Sequence, residues 1–161
     1  MCRYQCPKGG GQEFGIRPGT LNVAAIVGLG AASLRAKQQM EMWSQRTHSL
    51  RARFESQLFE TLPDISINGD VANRLPHVSN IAFHGVDSDG LLTMLPELVA
   101  STGSACHYAD FNPSHVLTAL KKTPDVSECS LRFGFIKDNT EAEVDRAVQL
   151  VRESVEQLRL A

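Results

Sequence analysis

A cysteine set among very small residues is the sharpest chemical feature of this chain. The run Ser101-Thr102-Gly103-Ser104-Ala105-Cys106-His107 follows the apolar segment Leu98-Val99-Ala100 and puts an imidazole directly after the thiol. Nothing bulky in the run screens the sulfur, and thiol chemistry needs a sulfur that can be reached and can lose its proton. Two readings stand for Cys106. A free cysteine is often only a small packed residue, yet Gly103, Ser104 and His107 suit an apolar interior poorly and favour the reactive reading. His107 is either a solvated neighbour or the group that takes and returns the thiol proton.

Arg132 is the second candidate. It sits in an alternating segment whose Leu131, Phe133 and Phe135 share the other face. Such an arginine either faces water or pairs with an acid, the commoner case, or it grips a small carboxylate with its planar fork. A third candidate is the pair of runs Gly9-Gly10-Gly11 and Arg17-Pro18-Gly19-Thr20. Glycines let backbone N–H groups approach an anion, and a helix starting near Thr20 adds its positive end. On residues alone an ordinary loop and helix cap is the simpler reading. Gly28-Leu29-Gly30-Ala31-Ala32-Ser33 imitates a dinucleotide fingerprint but lies inside a helical pattern, so it reads as a small-residue surface for helix packing. Of the other cysteines, Cys2 and Cys6 form a lone CxxxC without a second ligand pair, read as two terminal thiols, and Cys129 reads as a core residue.

These groups must be held by a small set of elements. Thr20 or Asn22 starts a helix in which Val23, Ile26, Val27 and Leu34, then Trp43, Leu50, Phe54 and Leu58, recur at helical spacing. No strong breaker lies between Gly30 and Pro63, so one long or gently bent helix is expected, of a length that suits a connector between two bodies. Beyond it come short strands at Ile65-Ser66-Ile67, Ser79 to His84, Leu98 to Ser101 and Cys129 to Ile136. Helices are expected after Asp87 or Ser88, from Asn112-Pro113 through Leu120, and after the capping box Thr140 to Glu143. The last buries Val144, Ala147, Val148, Val151, Val155 and Leu158.

With 161 residues, 42% of them apolar and 21% charged, the chain can build one ordinary core. A formal net charge of −2 gives no footprint for nucleic acid. No apolar run approaches the roughly 18 residues a membrane span needs, and Met1 to Lys8 lacks a secretory hydrophobic region. A soluble, cytoplasmic chain with reduced thiols is expected.

Taken together, GGGQEFGIRPGTLN (Gly9 to Asn22), RLPHVSNIAF (Arg74 to Phe83), STGSACHYADFNPSHVLTAL (Ser101 to Leu120), and SLRFGF with NTEAEVD (Ser130 to Phe135, Asn139 to Asp145) resemble the cysteine desulfurase and selenocysteine lyase family. These are pyridoxal 5'-phosphate enzymes of the class-V aminotransferase group. The resemblance implies an α/β small domain of a fold-type I transferase, with a short mixed sheet, helices on one face and a long connecting helix before it. It divides the chain into a remnant of the cofactor domain (1–35), the connecting helix (36–61) and the small domain (62–161). It further implies that Cys106 attacks the substrate sulfur and becomes a persulfide, that Arg132 binds the substrate carboxylate with His107 beside it, and that Thr20 reaches the cofactor phosphate of a partner subunit, with a backbone contact from Gly19. Implied partners are cysteine or selenocysteine, a second copy in a homodimer and a sulfur-accepting or scaffold protein, with neither nucleic acid nor membrane. Two departures stand out. No Ser-x-His-Lys segment carries a cofactor lysine, and Ile136-Lys137 replaces a Gly-Arg pair. The chain alone is therefore expected to lack lyase activity. The alternative is a non-enzymatic thiol or persulfide carrier, or an interaction module.

Overall fold

Asn22 begins the first long element: its side-chain oxygen accepts from the Ala25 amide at 3.0 Å and satisfies one of the free amides of the first turn. From there α1 runs as one helix, Val23–Thr61, until Pro63 denies it a further amide donor. The computed structural model describes residues 9–102 and 114–160. They fall in two units, Met1–Met40 and Glu41–Ala161.

In the first unit a short 3-10 turn, Glu13–Gly15, leads into the Arg17–Thr20 loop. The Arg17 guanidinium donates to the carbonyls of Gly19 (2.9 Å) and Thr20 (3.1 Å), which folds the loop on itself. No atom packs within 4 Å of where a Cβ would stand on Gly28 or Gly30, so within this chain the expected close helix packing at these glycines is not made. Ile26, Val27, Leu29 and Leu34 are exposed along the same stretch.

In the second unit the chain continues through β1 (Ile65–Ile67), β2 (Val78–Phe83), α2 (Ser88–Thr93), β3 (Ala100–Ser101), α3 (His115–Ala119), α4 (Pro124–Glu128), β4 (Ser130–Gly134) and α5 (Glu141–Arg159). The sheet order is β1-β2-β4-β3. Every pairing is antiparallel, which corrects the expectation of a mixed sheet. The reason is visible in the sequence: one apolar face and one polar face give clean alternation, the pattern of an antiparallel sheet, whereas parallel strands are covered on both sides.

The core fills one face of this sheet. Leu50, Phe54 and Leu58 of α1, Leu91 of α2, and Val144, Val148, Val151 and Val155 of α5 pack on Ile81, Phe83, Leu131 and Phe133. Phe54 lies at its centre, with ring centroids 4.9 Å from Phe133 and 5.5 Å from Phe135. Ala147 and Leu158 join at the margin, half-buried. The capping box of α5 is closed from both sides: Glu143 N–H donates to Thr140 Oγ1 at 3.2 Å, and Thr140 N–H donates to Glu143 Oε2 at 2.7 Å. Two boundaries differ from expectation. The strand at Leu98 shrinks to Ala100–Ser101, because Val99 is fully exposed and only the last two residues pair. The helix through Val116 ends at Ala119, and a second, unforeseen helix starts with Pro124, whose missing N–H costs nothing in a first turn. The expected helix start at Asn112-Pro113 lies outside the described residues.

Candidate active site

Strand alternation sends Ser79, Ile81 and Phe83 into the core and leaves Asn80 on the opposite face of β2. The same parity puts Ser130 and Arg132 of β4 and Ser101 of β3 on that face. Register then does the assembling. Asn80 is the direct partner of Arg132, and Arg132 is the direct partner of Ser101. Asn68 extends the pairing by one residue, its amide donating to the Asn80 carbonyl at 2.8 Å. A polar row, Asn68–Asn80–Arg132–Ser101, therefore crosses all four strands.

Arg132 is exposed on this row, reaches Ser101 Oγ at 3.4 Å and makes no ion pair with any described carboxylate. Among the described residues it pairs with no acid, so facing water and gripping a carboxylate are the two readings this position suits. An unpaired guanidinium on a polar floor can hold a carboxylate with two parallel hydrogen bonds. Beside it Asn68, 7% exposed, donates from Nδ2 to Asn80 Oδ1 (2.7 Å) and Ser130 Oγ (2.8 Å). Asn68 lies just past the Ile65-Ser66-Ile67 strand, and nothing in the local sequence marks it as part of a site. Sequence reading passed over Asn80, although the Val78-Ser79-Asn80-Ile81 alternation was a sufficient signal for its face.

A buried ion cluster supports the row from behind. Glu55 of α1 accepts from Arg74 at 2.7 and 2.6 Å and from Ser79 Oγ at 2.6 Å. Arg51 donates to the Leu75 carbonyl at 2.6 Å. Burial, then repulsion from Arg74, lowers the Arg51 pKa, and Glu55 counters it in part. These contacts tie the segment before β2 to α1 and so fix the height at which Asn80 meets Arg132.

The cysteines separate. Cys106 and His107, with Cys2 and Cys6, lie outside the described residues. Cys129 is 8% exposed, and burial pushes its thiol above the ordinary range, as expected for a packed residue. Thr20 and Gly19 belong to the first unit. The Thr20 side chain is exposed, while the Gly19 N–H is already engaged by Gln12 Oε1 at 3.2 Å. Among the described residues no three metal-ligating side chains gather, and no helix is long and apolar enough to cross a membrane. A cleft of about 910 Å³ opens beside Phe135, lined by Leu98, Val99, Ile136 and Ala147. It includes neither Arg132 nor Asn80, and among the described residues its lining holds no cysteine.

The fold is an α/β unit whose antiparallel sheet carries one polar row on the face away from the core. The chain belongs to the class-V aminotransferase family, whose profile matches residues 8–147. Its curated relatives include the cysteine desulfurase IscS of Photorhabdus laumondii, 41% identical over 151 residues, and that of Stutzerimonas stutzeri, 42% identical. Both alignments take in 94% of this chain and 37% of the relative, so the chain spans little more than a third of their length. Among solved structures, the NifS-like protein of Rickettsia africae matches with a TM-score of 0.79 at 26% identity, covering 92% of this chain and 39% of that one. DndA of Streptomyces lividans matches at 0.59 with 33% identity, over 80% and 36%.

Proposed function

We propose that this chain is the substrate-gripping and sulfur-accepting part of a cysteine desulfurase or selenocysteine lyase. The observation that carries this reading is Arg132: a guanidinium without an acidic partner among the described residues, in the middle of a polar row, in a chain whose relatives include cysteine desulfurases. Cys106 follows Ser101 by five positions. Arg132 holds the substrate carboxylate. The Cys106 thiolate takes the substrate sulfur, forming an S–S bond as the C–S bond breaks. The C–S electron pair stays with carbon, which is protonated and leaves as alanine. His107 manages the thiol proton. With selenocysteine, selenium is transferred instead.

Class-V aminotransferases use pyridoxal 5'-phosphate, which supplies an electron sink when bound. The described residues fit one end of it. The Thr20 hydroxyl is exposed for a phosphate, and Arg17, folded over the Thr20 carbonyl, adds a nearby positive charge. A Gly19 backbone contact requires Gln12 to move aside. None of the described lysines, Lys37, Lys121, Lys122 and Lys137, stands in a Ser-x-His-Lys segment of the kind that carries the family's cofactor lysine. We therefore expect no lysine-linked cofactor and negligible lyase activity from the chain alone. In the complete enzyme Thr20 serves the cofactor phosphate of the second subunit of a homodimer. The test mixes the purified chain with pyridoxal phosphate and cysteine. A chromophore that disappears on borohydride reduction, together with alanine release, refutes the expected inactivity. Loss of persulfide on Cys106 when a complete desulfurase is supplied refutes its role as acceptor.

A further inference from the structure

Directional hydrogen bonding fixes which end of the Asn80 amide faces Arg132. The Val126 backbone carbonyl can only accept, so the Ser130 hydroxyl bonded to it donates. A hydroxyl has one proton, so toward Asn68 the Ser130 oxygen accepts, and the Asn68 atom 2.8 Å from it is the amide nitrogen. That nitrogen lies 2.7 Å from the Asn80 side chain, which must therefore meet it with Oδ1. What remains is Asn80 Nδ2, two donors that bond to no described group, on the exposed face directly opposite Arg132. The arrangement leaves the buried Asn68 Oδ1 without a partner among the described residues. Directly opposed side chains on antiparallel strands have Cβ atoms about 4.5–5.5 Å apart, a spacing that lets one carboxylate take a guanidinium on one oxygen and an amide on the other.

We propose that Asn80 is a second donor to the substrate carboxylate, and that Asn68 and Ser130 are positioning residues that hold its amide donor-outward. The proposal rests on the reading of Arg132 as the carboxylate grip. It makes Asn80 a specificity residue: it favours a substrate that keeps its carboxylate over the corresponding amine.

The experiment is an NMR titration of the nitrogen-15-labelled chain, under reducing conditions, with L-cysteine and separately with cysteamine, which has the same thiol and amine but no carboxylate. The expected result is that the Asn80 side-chain amide and the Arg132 Nε–H shift on one saturation curve with cysteine and stay put with cysteamine. Asn80→Asp keeps the acceptor for Asn68, replaces the donor end with an oxygen and adds a negative charge that repels the substrate carboxylate and competes for Arg132; cysteine affinity should fall by more than the about tenfold of a lost hydrogen bond to a charged group. Asn68→Ala should weaken the Asn80 response while that of Arg132 persists. A shift at Arg132 without one at Asn80, or unchanged binding by Asn80→Asp, overturns the proposal and leaves the Arg132 reading intact. Equal shifts with cysteamine overturn carboxylate recognition by Asn80, and silence at both residues overturns the Arg132 reading along with it.

Discussion

Glu55 and Arg74 form a two-pronged ion pair, 2.6 and 2.7 Å, with side chains only 10% and 14% exposed. Arg51, at 3.9 Å from the same carboxylate, makes the cluster two cations to one anion. Glu55→Gln leaves both guanidinium groups buried without a counter-charge, and such losses cost about 3–5 kcal/mol. Urea unfolding followed by circular dichroism should show a drop of that order. A change below about 1 kcal/mol would mean that water reaches the cluster and screens it.

The pair between Arg53 and Asp145, 2.7 and 2.9 Å, joins α1 to α5 on the exposed side. The Arg53 bond, then that of Gln57, lowers the Asp145 pKa from 3.8 to about 2. A depressed carboxyl binds fewer protons folded than unfolded, so its contribution is complete above about 4 and fades as the pH falls toward 2. The denaturation midpoint of the chain should decline across that window, and Asp145→Asn should flatten the decline. An identical acid limb in the variant would contradict the assignment.

Cys106 and Cys129 should differ sharply toward iodoacetamide. Burial that raises the Cys129 thiol also blocks access, so in the folded chain it should alkylate at least about tenfold more slowly than Cys106, with rates converging in urea. Peptide mass spectrometry of a time course reads both sites. Protection of Cys106 in the folded state would remove the basis for a persulfide carrier.

Sequence alone determined most of the elements and the core face of the sheet, though not the short helix at Pro124. Asn22, Asp87 and Thr140 were legible as caps because each side chain bonds its own first turn. The apolar alternation at Ile81, Phe83, Leu131 and Phe133 named the core face of the sheet, since period-two burial is a local property. Local pattern also marked Arg132 as standing apart from that core. Only the tertiary structure decided what Arg132 stands beside. Its neighbours Asn80 and Ser101 are distant in the chain, and cross-strand register, which local sequence does not encode, brings them together. The same holds for Glu55, Arg74 and Ser79. Their types are ordinary for a surface, and burial around a shared carboxylate is what turns them into a framework for the row.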